Sequence, residues 1–154
     1  MAGAVTAGEA LADFRAANGI APGADQASHF SVRIGPLTLR FANAAWRRRA
    51  VAAHDLHHVL TGYGCTVIGE FEMAAWEASS GGFPSTAALA VCGVLVLGGL
   101  ALAPRRTVAA WRRGKAWRNL HLVSIEDALL DRPLAEITAE RQRATRARHS
   151  SQLK

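Results

Sequence analysis

The sequence predicts an all-α protein, a single helical domain with a short irregular or extended N-terminal arm. Half of its 154 residues are apolar and only 6% are aromatic. That balance, rich in alanine and leucine, favours helices over a sheet. The length suits one domain with its own core but not two. We divide the chain into an N-terminal helix and arm (1–43), a helical core (44–140) and a basic tail (141–154).

The N-terminal region has the weakest helical pattern. Residues 8–18 read as a short helix that ends at Asn18-Gly19. From His29 to Phe41 apolar and polar residues alternate, which indicates either an extended arm or a short hairpin around Gly35-Pro36. Either form would precede the helical core.

Two helices open the predicted core. Residues 42–61 are expected to form the first, which stops at Gly62 because glycine readily ends a helix in the left-handed conformation. Residues 67–79 are expected to form the second, with Thr66 as its N-terminal cap. The stretch between them is suited to reversing the chain direction.

The segment from Thr86 to Ala103 carries no charge and is bounded by prolines. As a helix it would be about 27 Å long, close to the hydrocarbon thickness of a bilayer. Its small residues make it a weak membrane span and equally permit close helix packing. We expect a buried core or lipid-lining helix here, with membrane insertion as the alternative.

The C-terminal part is also predicted to be helical. One helix is expected over 107–121, followed by a last helix capped by Ser124. Pro133 should break that helix, because proline lacks the N–H that continues one. A final helical stretch then runs into the basic tail.

The net charge of +6 is concentrated in three basic clusters, at Arg47–Arg49, Arg105–Arg118 and Arg141–Lys154. Such clusters beside apolar segments serve nucleic acid, anionic lipid or solubility alone. No nucleic-acid motif accompanies them, and aromatic residues do not interleave the tail. We therefore expect no nucleic-acid partner and name an anionic membrane surface as the partner.

Cellular location is predicted from cysteine usage and from the N-terminus. The two cysteines, Cys65 and Cys92, do not make a disulfide framework. The start of the chain, Met1 to Ala12, lacks the charged beginning and long apolar run of a signal peptide. A cytoplasmic location is expected, with peripheral association on the inner face of the membrane.

The chemistry of the chain is concentrated in His54-Asp55-Leu56-His57-His58, followed by Glu70. Because a helix turns about 100° per residue, His54, Asp55 and His58 fall within an arc of roughly 100°. Two imidazoles and two carboxylates suit a divalent metal such as zinc, iron, manganese or cobalt. The alternative is a histidine pair that lies on the surface or in the core and binds no ion.

Two neighbouring residues are weaker candidates for a catalytic role. His57 lies about 60° to the other side of His54 on the helix. It suits either an acid or base beside the metal ligands or an ordinary packed histidine. Glu77 lies two turns beyond Glu70 on the same face, where it could accept a hydrogen bond from a ligand imidazole or remain a solvated carboxylate.

This block resembles the signature of the coenzyme Q (ubiquinone) biosynthesis protein 4 family. The family pattern His-Asp-x-x-His-x11-Glu runs here without a gap, and the similarity covers about residues 44–140. Other residues that carry the resemblance are Leu60, Gly62, Gly69, Trp76-Glu77-Ala78, Pro84, Ala110-Trp111, Gly114, Ala116, Glu126, Arg132-Pro133-Leu134 and Glu136. Only 53 residues precede the motif, so the chain resembles a short member of the family.

The resemblance implies a bound divalent metal, usually taken as zinc. The implied ligands are His54, Asp55, His58 and Glu70. It also implies an isoprenoid-lipid tunnel, membrane association, a homodimer and contacts with other quinone-biosynthesis proteins. The family has been linked both to organising a complex and to replacing a ring carboxylate by oxygen.

We expect an enzyme, a metal-dependent oxidative decarboxylase (lyase) that acts on a prenylated aromatic acid. If the reaction is oxidative, iron, cobalt or manganese suits it better than zinc, which polarises but supplies no electrons. The first alternative is a non-catalytic isoprenoid-lipid-binding or scaffold protein of the quinone pathway. The second is a shortened family member that acts on another small acid in specialised metabolism.

Overall fold

The computed structural model describes residues 3–21, 23, 27–34, 37–42 and 44–142. Its body is helical, which confirms the predicted all-α class. The helices are α1 (Ala7–Ala17), α2 (Ala45–Thr61), α3 (Val67–Ser80), α4 (Thr86–Leu102), α5 (Pro104–Gly114) and α6 (Asp127–Leu130). Residues 134–142 are also helical. The predicted basic tail lies outside the described residues from position 143 onward.

The N-terminal arm is an antiparallel hairpin of two strands, β1 (His29–Ile34) and β2 (Leu37–Ala42). His29 is opposite Ala42 in the register. The hairpin alternative is therefore the one that the structure shows. The predicted turn at Gly35-Pro36 lies outside the described residues.

Helix α1 begins with a capping box. The Glu9 N–H donates to Thr6 Oγ1 at 3.2 Å, and the Thr6 N–H donates to Glu9 Oε2 at 2.9 Å. The helix ends at Asn18, within a residue of the predicted end. The strand-like contact of Thr6 with Pro133 ties this helix to the C-terminal part of the chain.

Helices α2 and α3 are joined by a short reversal that the sequence predicted. Helix α2 ends at Gly62, which has a left-handed φ of +76°. Thr66 caps α3 by accepting the Gly69 N–H at 3.1 Å. A Cβ on Gly69 would lie 2.0 Å from the Gly64 carbonyl oxygen. Only glycine permits that approach, which holds the reversal against the first turn of α3.

Helix α3 lies at the centre of the fold and packs against both α4 and α5. Helix α5 crosses it closely, since a Cβ on Gly114 would lie 2.5 Å from the Trp76 carbonyl oxygen. The largest fully buried apolar side chains are Trp76, Leu56, Met73, Leu120 and Ile137. The core therefore combines α2, α3 and the C-terminal segments.

Helix α4 occupies the uncharged segment as predicted. Of the two roles expected for it, a buried core helix is wrong, and a lipid-lining helix stays a prediction. Within this helix only Cys92 and Gly99 are buried. The exposed face of α4 is apolar and comprises Leu89, Val91, Val94, Leu97, Leu100 and Leu102. In the described ranges, every helix falls short of the length and apolar character needed to cross a membrane.

Two C-terminal expectations are corrected. The helix predicted over 107–121 is α5, which starts earlier at Pro104 and ends at Gly114. Proline suits the first helical position because the N–H there needs no partner. Ser124 caps no helix, since its hydroxyl binds the Glu126 side chain and α6 is a single turn after Glu126.

Candidate metal centre

The last turns of α2 and the first turn of α3 bring three side chains together, those of His54, His58 and Glu70. His58 Nε2 lies 3.0 Å from His54 Nε2, and His54 Nε2 lies 3.1 Å from Glu70 Oε2. His58 Nε2 is 3.4 Å from Glu70 Oε1. We call these three residues the first cluster. They are three of the four ligands that the sequence predicted.

Hydrogen bonds on the outer side of each imidazole orient it. His58 Nδ1 is 2.8 Å from the Tyr63 carbonyl oxygen, which can only accept, so Nδ1 carries the proton and Nε2 keeps its lone pair. His54 Nδ1 is 3.0 Å from Glu77 Oε1, which sets the same arrangement. When both rings are neutral, their Nε2 atoms and the Glu70 carboxylate are therefore acceptors that converge. Such a centre could hold a metal ion or a proton.

The charges around the first cluster favour a proton on His54 when no metal is bound. Burial alone would lower the pKa of His54, but Glu77 and Glu70 outweigh burial and raise it to about 10. Burial would raise the pKa of Glu70, but His54 and His58 lower it to about 2. A proton on His54 Nε2 thus supplies the positive charge, and a divalent metal would have to displace it.

Asp55 points to a different partner. Its buried carboxylate accepts from Arg15 of α1, with Arg15 Nε and Nη2 each 2.9 Å from Asp55 Oδ2. Burial raises the pKa of Asp55, and Arg15 opposes that shift. Asp55 does not belong to the three-residue group, so its predicted role as a metal ligand stays a prediction.

Helix α1 covers one side of the first cluster. The Phe14 ring stacks on the His58 ring, with centroids 5.2 Å apart and planes at 15°. Arg15 contacts Asp55 from the same helix. Neither Phe14 nor Arg15 could be assigned to the site from the sequence, because nothing in their local pattern connects them with a motif about forty positions away.

A second cluster lies deeper and consists of His57, Glu77 and His121, all buried. Glu77 Oε1 is 2.7 Å from His57 Nδ1 and 3.1 Å from His121 Nε2. The same oxygen is the one that contacts His54 Nδ1. Glu77 therefore connects the two clusters, through the type of contact that the sequence suggested for it. The predicted catalytic roles of His57 and Glu77 stay predictions.

Hydrogen-bond direction distinguishes the second cluster from the first. The Leu120 N–H donates to His57 Nε2 at 2.8 Å, so the proton of a neutral His57 must be on Nδ1 and point at Glu77. Burial lowers the pKa of His57 to about 4, which keeps the ring neutral. Burial would raise the pKa of Glu77, but His54 and its other histidine partners lower it well below its ordinary value. In the second cluster, the Glu77 carboxylate thus accepts hydrogen bonds from the neighbouring imidazoles of His57 and His54.

His121 is the part of the second cluster that the sequence analysis missed. It lies in the segment 115–126, which is attached to the end of α3 because the Asn119 N–H donates to the Ser80 carbonyl at 3.1 Å. The His121 ring lies between Phe83 and His57, with centroids 4.9 Å from each. A single histidine outside any motif spacing gave no signal for this position.

The first cluster has the composition of a reactive metal site. Two histidines and one carboxylate are the ligands of catalytic zinc in several enzymes and of non-haem iron oxygenases. Three protein ligands leave further coordination positions for a substrate. The side chains of His54 and Glu70 are 27% and 30% exposed, whereas that of His58 is 1% exposed, so solvent reaches two of the three residues.

Comparisons with protein-family models, with curated proteins and with solved structures returned no match to this chain.

Proposed function

We propose that this chain is a metal-dependent enzyme of ubiquinone-type quinone biosynthesis, which replaces the ring carboxylate of a prenylated aromatic acid by oxygen. The observation that carries the proposal is the accessible first cluster of His54, His58 and Glu70. The motif that resembles the coenzyme Q biosynthesis protein 4 family supports the pathway, and that support rests on the motif residues themselves.

The charge of the site favours an acidic substrate. With two neutral imidazoles and one carboxylate, a 2+ ion would leave a net charge of +1 on the first cluster. An aromatic carboxylate or phenolate would neutralise it. When bound, a divalent metal would supply Lewis acidity and a template, and iron, cobalt or manganese would also supply redox chemistry with dioxygen.

The overall reaction balances with dioxygen and a two-electron donor. The aromatic acid, dioxygen, two protons and two electrons would give the ring hydroxyl, carbon dioxide and water. The chain's own part is to hold the ligands in place and to restrict access from the α1 side. Phe14 does so by stacking on His58.

The exposed apolar face of α4 supports a lipid substrate. Helix α4 contacts α5, which carries the exposed basic residues Arg105, Arg112 and Arg113. An apolar face beside basic side chains suits a prenyl chain and an anionic membrane surface. The proposal therefore includes a cytoplasmic protein that associates peripherally with the inner face of the membrane.

Product analysis tests the reaction. The purified protein, loaded with iron, cobalt or manganese and aerated with a reductant, is incubated with a prenylated hydroxybenzoate. We expect wild type to release carbon dioxide and form the ring-hydroxylated product, and Glu70→Gln to form none. Glu72→Gln is the matched control, since Glu72 lies on the same helix but binds Arg106. Equal turnover by Glu70→Gln and wild type would show the catalytic proposal to be wrong.

The same α4 face also favours a second candidate, a non-catalytic lipid-binding or scaffold protein of the quinone pathway. In this case the metal would only hold α2 against α3. Complementation of a cell deficient in quinone synthesis separates the two functions. If Glu70→Gln restores synthesis as well as wild type does, the scaffold function is the correct one.

A further inference from the structure

We propose that His121 and His57 are positioning residues, which hold Glu77 so that Glu77 keeps His54 aimed at the metal. This inference rests on the metal centre of the proposed function. It adds a part of the site that comes from the segment 115–126, far from the motif in sequence.

Three imidazoles converge on one oxygen atom of Glu77. Glu77 Oε1 lies 2.7 Å from His57 Nδ1, 3.0 Å from His54 Nδ1 and 3.1 Å from His121 Nε2. The three imidazoles come from α2 and from the segment 115–126. Because this oxygen accepts from His57 and His54 and the buried His121 ring lies against it, it has little freedom to rotate away.

The hydrogen-bond direction of the His57 ring is fixed. Its side chain is fully buried, and its Nε2 accepts the Leu120 N–H. The Nδ1 proton must therefore be donated to Glu77, with no water to compete for it. This bond fixes the position of the Glu77 carboxylate, which lies deeper in the fold than the first cluster.

Across the residues that the structure describes, the His121 ring has no polar partner other than Glu77. Its side chain is 3% exposed, and neither of its ring nitrogens makes an aligned hydrogen bond within the described part of the chain. Among the described residues, Glu77 is the carboxylate that faces it, at 3.1 Å from Nε2. A buried imidazole is costly unless it is paired, so this contact with Glu77 is what accounts for a polar ring at this position.

The position of Glu77 affects metal binding because Glu77 orients the His54 ring. An imidazole that donates one ring N–H to a carboxylate has its other nitrogen oriented toward the metal and made more basic. Glu77 provides this for His54, and His57 and His121 provide it for Glu77. A metal in the second cluster itself is disfavoured, because His57 would have to lose its Nδ1 proton while Nε2 still accepts from Leu120.

The experiment compares two substitutions of His121. His121→Phe keeps a ring but removes its nitrogens, whereas His121→Gln keeps an N–H near the position of Nε2. Co²⁺ and Zn²⁺ affinities are measured by competition with a chelator, and the visible spectrum of the Co²⁺ protein reports the ligand geometry. Trp117→Phe is the matched control, a buried aromatic residue of the same segment that contacts Trp76 instead.

We expect His121→Phe to weaken metal binding by about 10- to 100-fold and to change the Co²⁺ spectrum, as loss of such an outer partner does in other metal sites. His121→Gln should restore most of the affinity. Trp117→Phe should lower the melting temperature and leave affinity and spectrum unchanged. If His121→Phe binds Co²⁺ like wild type, this inference is wrong and the metal site remains. If wild type binds no metal, both fail.

A second measurement needs neither metal nor a variant. Nitrogen-15 NMR of the metal-free protein reports which ring nitrogen of each histidine carries the proton. His57 is expected as the Nδ1–H tautomer. The Nε2–H tautomer would overturn the inference, because His57 could then not donate to Glu77. This test stays decisive if a substitution at position 121 prevents folding.

Discussion

The two histidine–carboxylate clusters contain the same kinds of residues and differ in the direction of their hydrogen bonds. In the first cluster, the outer nitrogens of His54 and His58 donate to Glu77 and to a carbonyl, so both Nε2 atoms face the Glu70 carboxylate and can bind an ion once the His54 Nε2 proton is lost. In the second, His57 donates inward to Glu77. The first cluster thus offers converging ligand atoms, whereas the second has a carboxylate that already accepts from His57 and His54.

The difference shows that residue composition alone does not identify a metal site. Each cluster has two histidines and one glutamate with ligand atoms within 4.8 Å of one another. We expect the groups behind the imidazoles to decide which of the two clusters binds a metal. Burial agrees with this division, because His54 and Glu70 are part-exposed whereas all of the second cluster is buried.

The largest expected effect separates the clusters by metal content. Wild type should contain one divalent metal per chain after purification without added metal, and His58→Ala should contain almost none, because one of three converging ligands is lost. Elemental analysis measures this. His29→Ala, which changes a histidine of β1, is the control and should keep its metal. Retention of metal by His58→Ala would remove the distinction between the clusters.

The next effect concerns stability in the absence of metal. Glu77→Ala should lower the free energy of unfolding by about 3–5 kcal/mol, the usual result of removing one partner from a buried ionic network. Glu70→Ala should cost less, since Glu70 is 30% exposed. Urea unfolding in the presence of a chelator compares the two variants. Equal losses would contradict the structural role given to the second cluster.

The stability of the folded protein should fall at both the alkaline and the acidic end of the pH range, for different reasons. The folded-state pKa of His54 is raised to about 10. Its contribution to the free energy of unfolding is therefore complete below pH 6.5 and is lost as the pH rises toward 10. The folded-state pKa of His57 is lowered to about 4, so the unfolded chain binds more protons between pH 6.5 and 4 and stability falls on acidification.

Melting temperatures measured from pH 4 to 10, with chelator and with Zn²⁺, test this prediction. The loss of stability above neutrality should occur in the metal-free protein and diminish with metal, since the ion takes the place of the His54 proton. The loss caused by His57 should occur in both. An alkaline loss that is unchanged by metal would mean that the ion binds elsewhere.

The smallest expected effect concerns Asp55, the predicted ligand that Arg15 engages. Asp55→Asn should weaken metal binding by about tenfold, because the three residues of the first cluster remain and only a neighbouring charge is lost. Chelator competition measures this value beside that of His58→Ala. An affinity equal to wild type would limit Asp55 to holding α1. A loss as large as that of His58→Ala would make it a full ligand.

Much of the first cluster could be predicted because its geometry is local. Helical periodicity places His54 and His58 on one face, and Gly62 with the Thr66 cap predicts the reversal that returns the chain at Glu70. The end of α5 was harder, because Gly114 ends the helix where it crosses Trp76, and that crossing is a property of the packed fold.

The sequence by itself determined the helical class and which residues could face a metal from α2 and α3, because both follow from periodicity and from nearby caps and turns. Only the tertiary structure decided what stands behind those residues. Leu120 donates to His57 across 63 positions, and Arg15 reaches Asp55 across 40. Such contacts depend on how the helices pack, and they set the direction of each hydrogen bond and hence the chemistry of each cluster.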